Sequence, residues 1–396
     1  MLFRSFSDCS SLTIIPSNIF NGLSNVTTFS GNFSNCTSLT EIPNDLLTDL
    51  TNVTDFSYLF SNCTSLTSIP ESLFSGYTNV ENFSQIFSDC TSLQTVGNSL
   101  FEGCSNATNF GYIFNNCTLL TTLGNNIFKN CTSITSVSSI FSGSYVTILG
   151  DSTFEGCTNI TLSPSELSNF TQIGNYTFKG CIGITDLTSV FSSSNITSLG
   201  DGTFEDCINI TQAVACFYYS TSLTSIGNNT FNGCTSITSC NSLFSDCTSL
   251  SSIQNDLFSG LTNVTDLTSV FQNCTSLTTI PSGLFDNNTS VSTMAGTFIG
   301  CSSLTTIPSG LFDNLPNLTN MYGIFQGCIL LESIPNGLFD NNTIVENFNA
   351  SFYGCVNLSG NAPELWLRTS PTPTGEQCFY NCTGLSNYND IPSIWK

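Results

Sequence analysis

The sequence predicts a solenoid, a stack of short coils none of which is large enough to fold alone, and three observations predict it. Cysteines recur at a fixed period: Cys9, Cys36, Cys63, Cys90 and Cys117 lie 27 residues apart, as do Cys247, Cys274, Cys301, Cys328, Cys355 and Cys382. Within one period the apolar residues come in threes rather than in strand alternation or a helical stripe, as with Leu66 and Ile69 or Val80 and Phe83. Finally, 33 phenylalanines supply a core although only 8% of residues are charged, so the surface must be solvated by Ser, Thr and Asn.

Residues 60 to 86 serve as a representative coil, with Phe60, Cys63, Leu66, Ile69, Leu73, Phe74, Val80, Phe83 and Ile86 turned inward. Two similar half-units are visible, one opening on Phe60 and the other on Phe74. Spacing of this kind, short strands meeting tight bends, is that of a leucine-rich-repeat solenoid. Neighbouring coils about 4.8 Å apart bury a shared core and pair their backbones, giving short parallel strands. From Cys9 to Cys382 the period predicts about 14 coils, a rod on the order of 65 to 70 Å long.

Three zones follow along residues 1–355. Residues 1–117 and 246–355 carry Ile-Pro repeats such as Ile69-Pro70, whereas 118–245 carry cysteines at 131, 157, 181, 207 and 234 and a Leu-Gly-x-x-Thr-Phe form such as Leu199 to Phe204. Glycines 124, 150, 174, 200 and 227 stand where Pro70 or Pro281 stands elsewhere, so both types are expected to punctuate one bend. Residues 356–396 break the repeat and hold both tryptophans, Trp366 and Trp395. They read as a divergent C-terminal repeat and cap over an otherwise open end.

The twenty cysteines admit three readings: buried free thiols, serial disulfides between coils, or metal sites. Seventeen follow a phenylalanine at the same spacing, which favours small apolar packing in columns. Cys216, Cys240 and Cys378 fall outside and are the candidates for a specific bridge. Zinc is disfavoured by the absence of histidine and of paired C-x-x-C spacing. Sequons such as Asn62-Cys63-Thr64 recur with a core cysteine in the middle, and so read as hydrogen-bonding loop residues before glycan acceptors.

A net charge of -22 opposes nucleic acid and anionic lipid headgroups. No run approaches the roughly 18 apolar residues of a membrane span. Catalysis has no histidine base, no nucleophile triad and no phosphate loop, so no catalytic residue, metal ligand or cofactor is nominated. Asp286-Asn287-Asn288 and Asp340-Asn341-Asn342 do not follow the calcium-loop pattern. Phe3, Phe6 and Cys9 fall in repeat register from the start, leaving no recognisable signal peptide. The disturbed stretch at Phe217, Tyr218 and Tyr219 is the one candidate binding site, because exposed aromatic clusters carry binding energy.

Thr51 to Ser57, followed by Leu59-Phe60-Ser61-Asn62-Cys63-Thr64-Ser65-Leu66, resembles the repeat of BspA-like leucine-rich-repeat surface proteins, and Leu223 to Ile237 resembles the other common form of that repeat. The resemblance implies a non-catalytic surface-exposed adhesion or recognition module at a cell surface, with a protein or glycan partner. Phage-encoded arrays are similar, which keeps open a passive spacer or a virion tail or fibre component.

Overall fold

The computed structural model describes residues 5–164 and 166–396; Phe3 lies outside them. The chain forms two units, one of Met1–Leu162 with Gln172–Ile184 and the other of Ser163–Thr171 with Thr185–Lys396. Each is a stack of coils in which like residues fall beside like.

Ring stacking shows the period directly. In the first unit Phe60 lies 5.6 Å from Phe33 and 5.7 Å from Phe87 with planes nearly parallel. A second file runs through Phe74, Phe101, Phe128, Phe154 and Phe178. In the second unit Phe217, Phe244, Phe271, Phe298, Phe325, Phe352 and Phe379 form one unbroken file. Each offset contact adds about 0.5–1.5 kcal/mol beyond simple burial.

Strands are present but minimal. β1 (Ser68–Ile69) pairs in parallel with β2 (Thr95–Val96), and β3 (Ile148–Leu149) with β4 (Gln172–Ile173). β5 (Ser198–Leu199) lies in the second unit, where Ser198 bridges Ser225. On another side of the coil single-residue parallel bridges suffice: Thr28, Asp55, Asn82 and Asn109 in the first unit, and Asp186, Gln212, Ser239, Asp266, Thr293, Asn320, Asn347 and Thr374 in the second. Several of these residues also accept from the backbone two positions on, as Asp55 does from the Ser57 N–H at 2.8 Å, which bends the chain at once. α1 (Ser138–Phe141) is a single turn. Among the described residues no helix is long and apolar enough to cross a membrane.

The glycines and prolines do share one position, but they do different work there. Gly97 N–H donates to Ile69 O at 2.9 Å and Gly174 N–H to Leu149 O at 3.0 Å, closing the two strand pairs. Pro70, Pro308 and Pro335 have no N–H to donate to the coil before them; β1, which ends just before Pro70, pairs with the following coil, where Gly97 is the donor. The glycines are also set by space. A Cβ on Gly150 would lie 2.4 Å from Gly124 O, and one on Gly227 would lie 2.3 Å from the Gly200 carbonyl carbon.

The cysteines occupy two files rather than one. The first holds Cys9, Cys36, Cys63, Cys90 and Cys117 in the first unit and Cys247, Cys274, Cys301, Cys328, Cys355 and Cys382 in the second. The other begins at Cys104 and continues through Cys131, Cys157 and Cys181. What reads in the sequence as a shifted register is therefore a change in which half-coil carries the thiol. From Cys36 onward the thiols of these files donate to the phenylalanine carbonyl of the preceding coil: Cys63 to Phe33 at 3.3 Å, Cys274 to Phe244 at 3.2 Å, Cys104 to Phe74 at 3.0 Å.

Other side chains replace cysteine where they can reach the same carbonyl. Ser220 Oγ donates to Phe191 O at 2.7 Å, and Asn288 Nδ2 serves both Phe258 O and Leu261 O. Asn342 does likewise for Phe312 and Leu315, and the Arg368 guanidinium donates to Phe339 O and Asn342 O. The position thus selects a buried donor, which a thiol supplies at small volume.

None of the twenty cysteines is in a disulfide, and all but Cys9 are buried. Cys216, Cys240 and Cys378 form no bridge, contrary to the expectation that they were the best candidates. They take core positions filled elsewhere by Leu, Val or Met and are buried like them. Replacing Cys274 with Ala is expected to cost about 1–3 kcal/mol through the lost bond and the void. Cys274→Ser, which keeps a donor, should lose less by urea unfolding; an equal or larger loss would show that volume alone matters.

Candidate functional site

Each coil turns a corner between its stacked phenylalanine and its thiol, with those two side chains inward and the two residues between them on the outer side of the bend, though Ser88 and Ser245 there are covered. The second outward residue adopts left-handed backbone. It is Asp8, Asn35, Asn62, Asp89 or Asn116 in the first unit and Asp246, Asn273, Gly300, Gly327, Gly354 or Asn381 in the second, residues that tolerate this conformation. The sequon asparagines owe their place to it: Asn62 Nδ2 donates to Asn35 Oδ1 at 2.9 Å and Asn116 Nδ2 to Asp89 Oδ1 at 3.0 Å.

Tyr219 occupies this same position with φ of 59°. Its N–H still donates to Ser245 O at 2.9 Å, so the stack forces a bulky aromatic into a conformation that costs about 1–2 kcal/mol. The ring gains no burial in return, since Tyr219 is 56% exposed and its neighbour Tyr218 is 42% exposed. Their ring centroids lie 6.1 Å apart. Phe217 is corrected here: it is fully buried, stacked on Phe191 and Phe244, and belongs to the core and not to a surface.

The first outward residue defines a wider surface that sequence reading missed. In the first unit this file is serine up to Ser88 and then Asn115, with Ser7 bonded to Ser34 and Ser61 to Ser88. In the second unit it becomes Gln272, Ile299, Gln326, Tyr353 and Tyr380, and the last two stack at 4.7 Å. Just beyond the thiols of the same coils Ile329, Leu330 and Val356 are 44–50% exposed. Only position within the coil, not composition, could have grouped these residues.

The electrostatics around this corner are one-sided. Residues 185–367 include carboxylates but no lysine or arginine. The two basic residues of the second unit are engaged near the C-terminus, Arg368 as described and Lys396 with Tyr388 O and Asn389 O. Burial pushes the thiols out of reactive range: Cys247 and Cys382 rise to about 12, and Cys274 and Cys301 well above their ordinary value. These buried thiols are therefore not activated nucleophiles.

Comparison with known proteins bears on the whole chain. A leucine-rich cell surface protein from Faecalibacterium prausnitzii A2-165 is similar at 19% identity, over 81% of this chain and 82% of that one, with a TM-score of 0.39. A leucine-rich repeat protein from Bacteroides ovatus is similar at 20% identity over 84% and 87%, with a TM-score of 0.29. A chain of the Drosophila Toll–Spatzle complex is similar at 17% identity over 94% and 45%, with a TM-score of 0.32. No curated protein matches significantly. The model of the BspA type leucine rich repeat region, in its six-copy form, matches residues 3–135, 64–211, 161–292, 215–349 and 322–394. With its repeat matched across nearly its full length, the chain belongs to the BspA-type leucine-rich-repeat family.

Proposed function

We propose that this chain is a non-catalytic recognition module, displayed outside a cell, whose second unit binds a protein or glycan through the corner bearing Tyr218 and Tyr219. The observation that carries the reading is the exposed pair Tyr218–Tyr219, adjacent in sequence with ring centroids 6.1 Å apart. Tyr58, Tyr112 and Tyr176 are also exposed at left-handed backbone, but here two exposed rings stand together, as aromatic hot spots do. The surrounding surface selects the partner's charge: with carboxylates and no cations over residues 185–367, it suits a neutral or basic ligand. In this reading residues 356–396 close the end of the stack, with Arg368 supplying the last donors and Trp395 buried near Trp366.

The test pairs binding with stability. The intact chain is screened on glycan and extracellular-protein arrays, and the hit is measured against Tyr218→Ser/Tyr219→Asn. Binding should fall at least about ten-fold, as for loss of a hot-spot pair, while the melting temperature stays equal or rises because Asn suits left-handed backbone. Unchanged binding would remove the corner from the mechanism. Uniform failure to bind would favour the passive spacer.

A further inference from the structure

The first unit contains a cleft of about 350 Å³ lined by Asn44, Leu47, Thr48, Ser72, Ser75 and Tyr77, among others. It is built by two departures from the repeat that compensate each other. Leu47 stands where neighbouring coils place Phe20, Phe74 and Phe101, so one ring of the file is missing. Tyr77 stands where the coils on either side place Leu50 and Cys104, and its ring fills the gap, 5.4 Å from Phe56 and 6.4 Å from Phe74. Its hydroxyl donates to Leu47 O, the carbonyl that a thiol serves in later coils. The core is thereby kept closed while the surface between residues 44–51 and 72–79 opens.

We propose that this cleft is a binding site for a neutral sugar, separate from the tyrosine corner of the second unit. Its walls supply amides from Asn44 and Asn79 and hydroxyls from Thr48, Thr51, Ser72, Ser75 and Thr78, with the half-buried Tyr77 as apolar surface over the buried Leu47 and Leu73. Several hydroxyls already donate to backbone carbonyls, Thr48 to Asp45 O at 2.9 Å and Ser75 to Glu102 O at 3.3 Å. They therefore present fixed lone pairs to a ligand's hydroxyl donors. No lysine or arginine lines the cleft, and Asp45 and Asp49 stand close by in sequence. An anionic ligand is thus opposed while a polyol meets donors and acceptors on several sides. The volume lies at the low end for small-molecule pockets, which limits the ligand to one or two sugar rings.

Saturation-transfer NMR of the intact chain with methyl glycosides of glucose, galactose, mannose and N-acetylglucosamine, and with methyl glucuronide, tests this. At least one neutral glycoside is expected to bind, and the glucuronide is not. Thr48→Trp, at an exposed position on the rim, should abolish the signal, and Asn44→Ala should weaken binding about five-fold, as for one hydrogen bond. Tyr218→Ser/Tyr219→Asn should leave it unchanged, which separates this site from the corner. Absence of transfer to every neutral glycoside, transfer that survives Thr48→Trp in a folded variant, or loss in the double-tyrosine variant instead would each overturn the proposal.

Discussion

Raising the pH from 8 to about 10.5 is expected to unfold this protein. The unfolded chain ionises its thiols near their ordinary value of about 8.5. In the folded chain, burial holds Cys104, Cys117, Cys247 and Cys382 near 12, and Cys90, Cys274, Cys301, Cys328 and Cys355 well above their ordinary value. Between those limits the unfolded state binds fewer protons than the folded one, so stability falls as pH rises. It is intact below about 8.5 and erodes above that.

Each such thiol removes about 1.4 kcal/mol per pH unit. A domain's entire margin is about 5–15 kcal/mol, and the file from Cys247 to Cys382 alone reaches that within one to two units. Near-ultraviolet circular dichroism followed with thiolate absorbance should show loss of tertiary structure and a cooperative burst of ionisation together. Persistence of the native spectrum at pH 11 would contradict the linkage. Gradual thiolate formation without unfolding would show that the thiols are reached by water.

Gly227→Ala should be among the most damaging single substitutions in the second unit, although it adds one methyl group. The new Cβ would meet Gly200 C at 2.3 Å, Asp201 N at 2.4 Å and Gly200 O at 2.4 Å. All three are backbone atoms of the coil beneath, so no rotamer change relieves the clash and the two coils must separate. We expect a loss of about 3–5 kcal/mol, at the upper end for overpacking. Gly354→Ala is the comparison: its φ is 74° and nothing lies within 4 Å of the added carbon, so only the left-handed penalty of about 1 kcal/mol applies. Urea unfolding of both variants separates the two kinds of glycine, and equal losses would refute the steric account.

The 27-residue spacing and the alternation of Phe60 with Phe74 were enough to read coils, a shared core and two half-units from the sequence. Packing of like on like leaves a periodic trace that requires no structure to detect. The identity of the donor file was not legible, because Ser220, Asn288, Tyr77 and Arg368 share no composition with cysteine and are united only by reaching one carbonyl. The same limit applies to the candidate site. Tyr218 and Tyr219 stood out as irregular, but Phe217 differs from them only in facing inward, and Tyr353 and Tyr380 join the surface only once coils are superposed. Gly227 could be placed at the bend, but the approach of the coil beneath it is a long-range distance that local sequence does not encode.

The thiol bonds between coils run in one direction, from a coil back to the carbonyl of the coil before it. A nascent chain leaving the ribosome therefore presents an open acceptor at every stage, and the next coil to be synthesised carries its partner. Assembly can follow translation step by step without waiting for distant segments, which spares a long, weakly charged polypeptide from exposing its phenylalanines all at once.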